Sequence, residues 1–265
     1  MLPLRDARPP HRFPAITAVI LALCATAFGY ELVLLVQGGD PALNRFVLRH
    51  GLVPAELVAG LQAGDLLSGP TLDLFTHMFL HAGWLHLMGN ALFLWIFAPN
   101  VEDRLGRPLF LALYLAGGIA AALAHVATDP AGRQPMIGAS GAISAVLGAY
   151  VVLFPRARIQ SLVFLVFFYD LVAVPSVIVL GFWFLLQLID GFASLGLTAE
   201  ASGGIAFWAH IGGFVAGALM ALLVRLSGRR PAPEIPADAA VALPPPPGAP
   251  PVAGSAPPPP PPPRR

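Results

Sequence analysis

The chain is expected to be an all-α membrane protein with six transmembrane helices and one long, interfacial first loop. Three observations carry that expectation. The 265 residues are 57% hydrophobic and 11% charged, with a mean hydropathy of +0.75, whereas soluble domains carry about 25% charged residues. Six apolar stretches approach or reach the length that crosses a hydrocarbon core of about 30 Å. Arginine is also distributed unevenly over the connections those stretches define.

The elements follow in chain order. Arg5, Arg8 and Arg12 form a basic flank before an apolar run from Phe13 to Val36. That run is too long for the apolar region of a signal peptide, and Leu23 is too large for the position before a lipoprotein cysteine at Cys24. It reads as a retained first span, about 14–36, behind a cytoplasmic segment 1–13. The loop Gly38–Gly83 carries Phe46, Val47, Leu52, Leu57, Val58 and Leu61 among Asn44, Arg45, Arg49 and Glu56. This mixture suits short helices lying partly in the membrane interface, in preference to a small external subdomain with its own core.

The remaining spans are expected at about 84–100, 108–126, 139–154, 172–190 and 206–224. Ile159–Tyr169 is apolar too, but its 11 residues are short for a span. It is expected to be interfacial or the lower part of the fifth span. Residues 14–226 thus form the membrane domain, and 227–265 a cytoplasmic tail. Residues 231–265 contain 16 prolines among 35 positions, a composition that cannot bury a core and is expected to be disordered or polyproline II.

Six spans with the N-terminus inside leave twelve arginines on inside segments, from Arg5 to Arg265. Only Arg45, Arg49 and Arg133 fall outside. A seventh span would move the Arg225–Arg230 cluster outside and break this positive-inside pattern. Composition excludes other classes. Cys24 is the single cysteine, so no internal disulfide forms. No basic patch is interleaved with aromatics, and no nucleic-acid partner is expected. All 15 basic residues are arginine, and with the Ala and Pro richness this suggests a GC-rich bacterial genome.

A layer of polar side chains stands inside these spans. Ser140 lies 15 residues before Pro155, and His210 lies 15 before Arg225. At 1.5 Å rise per residue both stand roughly 22 Å above the same face. His86 and Asn90 share one face of the second span at i, i+4. Counted from Glu102 they stand at roughly 24 and 18 Å. Each alone fits structural roles: a membrane serine often bonds its own backbone, and a membrane His or Asn often links helices. Their shared depth on three parallel spans points to chemistry.

The residue types suggest which chemistry. Ser140 attacks a carbonyl if His210 takes its proton. No acidic residue sits at that depth, Asp170 and Asp190 lying near span ends, so a dyad is expected with His210 held by packing. The oxyanion formed by attack needs preorganised donors. Asn90, His86 and the Ser140 backbone N–H at its helix start are the candidates. Gly138 and Gly141 allow a tight turn and close backbone approach. Gly213 and Gly217 form a Gly-x-x-x-Gly face on the sixth span, answered on the fourth by Gly141, Ala145 and Ala149. Water would reach the layer past loop 127–138, with Thr128, Asp129, Arg133 and Gln134, under a cap formed by Phe192–Ile205.

These motifs together resemble a known family. Gly138-Ala139-Ser140-Gly141, His86-Leu87-Met88-Gly89-Asn90 and Ala209-His210-Ile211-Gly212-Gly213 with Gly217 look like those of bacterial rhomboid intramembrane serine proteases. His77, His81 and the turn Glu102-Asp103-Arg104-Leu105-Gly106-Arg107 are similar too, and the likeness covers about residues 14–226. The resemblance implies a six-helix rhomboid bundle with a Ser140–His210 dyad. It implies an oxyanion site from His86, Asn90 and the Ser140 backbone, with no metal and no cofactor. It also implies transmembrane protein substrates, cut near the outer end of their helices in the inner membrane of a bacterium. Two positions depart from the family. Leu72-Asp73 stands where many members carry Trp-Arg, and Ser144 stands where some place an aromatic beside the histidine. A non-catalytic relative that binds transmembrane helices is the alternative reading. A transporter would need charged or paired acidic residues at midplane. The sequence sets no substrate and no oligomeric state.

Overall fold

A computed structural model describes residues 1–65, 69–165, 168–195 and 206–228. Residues 196–205 of the expected cap and the tail from 229 onward lie outside the described residues. The described chain is mostly helical, as expected, and each of the six anticipated spans contains a helix.

Strand β1 (Leu2–Asp6) precedes α1 (Ala15–His50). Helix α1 is two helices end to end, because Gly39 departs to φ 65°, ψ −170°, and Pro41 follows. A proline inside a helix removes one ladder donor and crowds the preceding turn, so the long first span breaks where the first loop begins. Three short pieces follow: α2 (Pro54–Gln62), α3 (Gly69–Thr76) and a 3₁₀ turn His77–Phe79. Leu52 and Leu57 of this loop are fully buried with Ala121, Ala122, Val126, Met136 and Ala209. The loop therefore closes one end of the bundle through a shared apolar cluster.

Helices α4 (Trp84–Leu105) and α5 (Arg107–Thr128) are separated by Gly106 alone. Its φ of 78° ends α4, its N–H donating to the Glu102 carbonyl oxygen at 2.8 Å, and Arg107-Pro108 opens α5. Left-handed glycine after one helix and proline inside the next are the expected signals for such a joint. Helix α6 (Ser140–Leu153) follows, then strands β2 (Arg158–Leu165) and β3 (Phe168–Pro175), α7 (Ser176–Ala193) and α8 (Phe207–Leu226).

Helix α6 is the axis of the molecule. Every residue from Gly141 to Tyr150 is buried, and α8, α5 and α4 pack around it, α8 most extensively. Small residues set that contact. A Cβ added to Gly217 would overlap the Ala145 carbonyl oxygen, one on Gly213 that of Gly141, and one on Gly148 that of Phe214. The two backbones touch because no side chain stands between them. Outside this core, large apolar residues face outward, Val36 at 84% and Leu85 at 88% exposure, as a lipid solvent requires.

Among the described residues, α1, α5, α7 and α8 are long and apolar enough to cross a bilayer. The bent pair Gly69–Phe79 and Trp84–Leu105 makes a fifth if counted as one span, while α6 has 14 residues.

The stretch Ile159–Tyr169 is not the lower part of the fifth helix, which starts at Ser176; its described residues are strand. Residues 158–165 and 168–175 form an antiparallel pair, and β1 adds at its edge in the order β1-β2-β3. The register sets Leu2 opposite Leu162, Asp6 opposite Ile159, and Leu162 opposite Leu171. The β-branched residues Ile159, Val163, Val172 and Val174 suit strands, and Ile159 and Ser161 are fully buried.

Below the sheet, Asp6 accepts hydrogen bonds from Asn100 Nδ2 at 2.6 Å, from the Arg8 N–H at 2.9 Å, and from the Tyr150 hydroxyl. Burial pushes its carboxyl above the ordinary carboxylate range, against the opposing pull of those donors. Beside it the Glu102 carboxylate caps α1, accepting the N–H groups of Ile16 at 2.9 Å and Thr17 at 2.8 Å and the Thr17 hydroxyl at 2.8 Å. The first turn of α1 contains no acidic residue. A carboxylate from another helix thus satisfies its orphan donors and complements its dipole.

Candidate active site

At the opposite end of α6 the predicted polar residues come together. Gly138 has φ 122°, a backbone that side-chain-bearing residues rarely adopt, and a Cβ there would lie 2.6 Å from His86 Nε2. Glycine is required on both counts. Its N–H donates to the His77 carbonyl oxygen at 2.8 Å, which ties the turn before α6 to the 3₁₀ turn before α4. Ser140 is the first residue of α6, so its N–H has no partner in the helix ladder.

Across the seam, His210 stands in the first turn of α8. Its Nε2 lies 2.8 Å from Ser140 Oγ. Gly213, one turn on, rests against the Gly141 carbonyl, and that close approach allows the short reach. From α4, His86 and Asn90 face the same turn. The Ala82 N–H donates to His86 Nδ1 at 3.4 Å, which directs the ring proton to Nε2 beside Gly138. Asn90 Nδ2 is buried without a hydrogen-bond partner among the described residues. A Cβ on Gly138 would lie 3.7 Å from it. Leaving a buried amide donor unpaired costs about 1–3 kcal/mol.

The support of His210 differs from the expectation that packing alone holds it. Its Nδ1 lies 2.6 Å from Gln187 Oε1 on α7. One turn earlier on the same face, the Trp183 ring is 6.0 Å from the imidazole, tilted by 37°. Ser144, where some relatives carry an aromatic, donates its hydroxyl to the Ser140 carbonyl oxygen at 2.6 Å. The aromatic neighbour of His210 therefore comes from α7 instead of α6. Gln187 was legible as a polar side chain in an apolar run, i, i+4 from Trp183. What remained hidden was the rotation of α7 that turns it toward His210.

A second residue absent from the sequence reading is Glu31, buried in α1. Its carboxylate accepts the His81 N–H at 3.2 and 3.3 Å, which holds the chain leading into α4. The ring nitrogens of His77 and Nε2 of His81 are buried without partners among the described residues. In loop 127–138, Thr128, Asp129, Arg133 and Gln134 are exposed. No group of three or more His, Cys, Asp or Glu suited to a metal ion occurs among the described residues.

The arrangement sets a hydroxyl against an imidazole, with an amide donor and a ring N–H beside the serine. A hydroxyl so placed can lose its proton to the ring, and the donors can receive negative charge on a neighbouring oxygen.

Comparison with known proteins gives the lineage. Residues 69–227 match the family model described as the rhomboid domain. The chain is 37% identical over 151 residues to rhomboid protease GluP of Bacillus subtilis, covering 56% of this chain and 26% of that protein. It is 35% identical over 96 residues to putative rhomboid protease YdcA of the same organism, covering 36% of this chain and 47% of that one. It is 35% identical over 126 residues to presenilin-associated rhomboid-like protein A, mitochondrial, of Danio rerio, covering 46% of this chain and 33% of that one. The matched stretch is less than half the length of each of these relatives. Its small-residue seam, its serine at the head of a buried helix and a domain match over residues 69–227 agree: the chain belongs to the rhomboid family.

Proposed function

We propose that the chain is an intramembrane serine endopeptidase, and that Ser140 and His210 are its catalytic dyad. The observation that carries this reading is the 2.8 Å contact between Ser140 Oγ and His210 Nε2, next to the unpartnered amide of Asn90. His210 Nε2 takes the hydroxyl proton as Oγ adds to a substrate carbonyl carbon. The carbonyl oxygen becomes an oxyanion, received by Asn90 Nδ2, His86 Nε2 and the Ser140 N–H. The proton then passes from His210 to the leaving amine nitrogen as the C–N bond breaks. Water, activated by the same imidazole, hydrolyses the acyl-enzyme.

Substrates are transmembrane proteins whose helices unwind near one end. Only where backbone amides leave the helix is a carbonyl exposed, which favours cuts between small residues. No cofactor takes part. The domain order is a cytoplasmic segment 1–13, a six-span membrane domain 14–226 and a cytoplasmic proline-rich tail 227–265. The arginine bias supports cytoplasmic termini in a bacterial inner membrane.

The test is cleavage of a reporter with one transmembrane helix and a Gly/Ala-rich outer end. It is co-expressed with the intact protein, with Ser140→Ala and with His210→Ala. Cleavage is expected to fall by about 10³-fold or more in each variant. Cleavage that survives Ser140→Ala would reject the dyad. If no reporter is cut and a fluorophosphonate fails to label Ser140, the non-catalytic helix-binding reading replaces it.

A further inference from the structure

We propose that Gln187 is a positioning residue that fixes the tautomer and the orientation of the His210 imidazole. The proposal rests on the dyad reading for its kinetic consequence, but not for its structural one. A neutral imidazole holds one proton and one lone pair, and only a lone pair on Nε2 can receive the Ser140 proton. Gln187 Oε1, 2.6 Å from Nδ1, is an acceptor. It places the proton on Nδ1 and leaves Nε2 free to face Ser140 Oγ at 2.8 Å.

The groups around the ring leave this task to the carboxamide. Among the described residues, the hydrogen-bond partners of the ring are Gln187 and Ser140, and neither is a carboxylate. Ser144 on α6 is occupied with the Ser140 carbonyl oxygen. A carboxamide does without charge what a carboxylate does in a triad, and it spares this apolar setting a buried anion.

The face that carries Gln187 is built to stay in place. Trp183, Gln187 and Gly191 recur every four residues and so lie on one side of α7. Trp183 flanks the imidazole on that side. At Gly191 a Cβ would lie 2.9 Å from Ile211 Cδ1, and the Gly191 carbonyl oxygen accepts the Trp208 indole N–H at 3.1 Å. Phe184 stacks on Phe214 at 4.4 Å. Outward residues Phe182, Leu185, Leu186 and Ile189 are exposed. The seat of α7 on α8 is thus narrow, with Gln187 near its middle. The carboxamide reaches His210 only while α7 is seated.

The experiment uses the intact protein in detergent micelles, with Gln187→Met and Gln187→Glu. Met preserves length and removes the acceptor; Glu preserves the acceptor and adds charge. Two readouts are taken. The first is the ¹⁵N spectrum of labelled histidine, with the His210 signals identified by their loss in His210→Ala. The wild type is expected to carry the His210 proton on Nδ1, and Gln187→Met to show mixed tautomers. The second is reporter cleavage. Gln187→Met is expected to lose about tenfold to a hundredfold in kcat with KM nearly unchanged. Gln187→Glu is expected to keep most of kcat. Its acid limb should move to higher pH, because a carboxylate stabilises the imidazolium.

A wild-type ring protonated on Nε2 would overturn the proposal. So would Gln187→Met with the wild-type tautomer and kcat. If Gln187 only packs, Met is harmless and Glu is the worse variant, the reverse of the expected order. If the wild type cuts nothing and a fluorophosphonate does not label Ser140, the protease reading fails while the tautomer readout still decides the role of Gln187.

Discussion

Two buried polar clusters lie at opposite ends of α6, and they are completed to different degrees. At the sheet end, Asp6 receives Asn100, Tyr150 and the Arg8 backbone, while Glu102 receives Ile16 and Thr17. Even Arg8, whose Nε has no hydrogen-bond partner among the described residues, lays its guanidinium 4.2 Å from the centre of the Phe154 ring. At the serine end, Asn90 Nδ2 has no hydrogen-bond partner among the described residues and lies near Gly138 in the turn before Ser140. A satisfied buried network rigidifies a fold, whereas an open donor costs stability and persists where something else uses it. The sheet end is thus largely satisfied among the described residues, whereas the serine end keeps an amide donor without such a partner, although both are built from similar polar groups.

That contrast can be broken or sharpened by substitution. The largest effect is expected where the two ends share a support. Gly217→Val drives a side chain into the Ala145 carbonyl on the α6–α8 seam. It should abolish folding and activity together, seen as loss of the native fraction in detergent extracts. A folded, active Gly217→Val protein would show that the seam tolerates separation.

Next comes the open donor. Asn90→Ala should lower kcat by about 10²–10³-fold. It should leave the unfolding transition in place or raise it slightly, since a buried unpaired amide is removed. A clear loss of stability would move Asn90 into the structural class.

The smallest effects on chemistry belong to the sheet end. Asp6→Ala and Glu102→Ala should each destabilise by about 1–3 kcal/mol, because each leaves buried donors without an acceptor. Cleavage per folded molecule should stay within about twofold, read by denaturant titration beside reporter kinetics. A rate loss as large as that of Asn90→Ala would mean that the two ends are coupled through α6.

Much of this was legible in the sequence, for definable reasons. The six helical segments follow from runs of apolar residues, and local composition decides such runs. Ser140, His210, His86 and Asn90 could be assembled because helix rise converts sequence position into depth. Gly138, Gly141, Gly213 and Gly217 were readable as close-approach positions because only glycine offers so little bulk. Each of these inferences uses information within one helix or one motif.

What only the tertiary structure decided depends on pairs distant in sequence. Residues 2–6 become a strand because 158–165 presents an edge more than 150 positions away, and nothing local to either segment specifies its partner. The short length of 159–169 and its β-branched residues permitted several outcomes, and the N-terminal strand selected one. Gln187 is the second case. Its polarity was visible, but its bond to His210 needs α7 at one depth and one rotation against α8, and helix packing alone sets both. The sequence by itself determined the membrane class, the family and the side chains that meet at the candidate site. The tertiary structure decided how the imidazole is oriented and how the end opposite the serine is closed, because hydrogen bonds between separate elements exist only once those elements have docked.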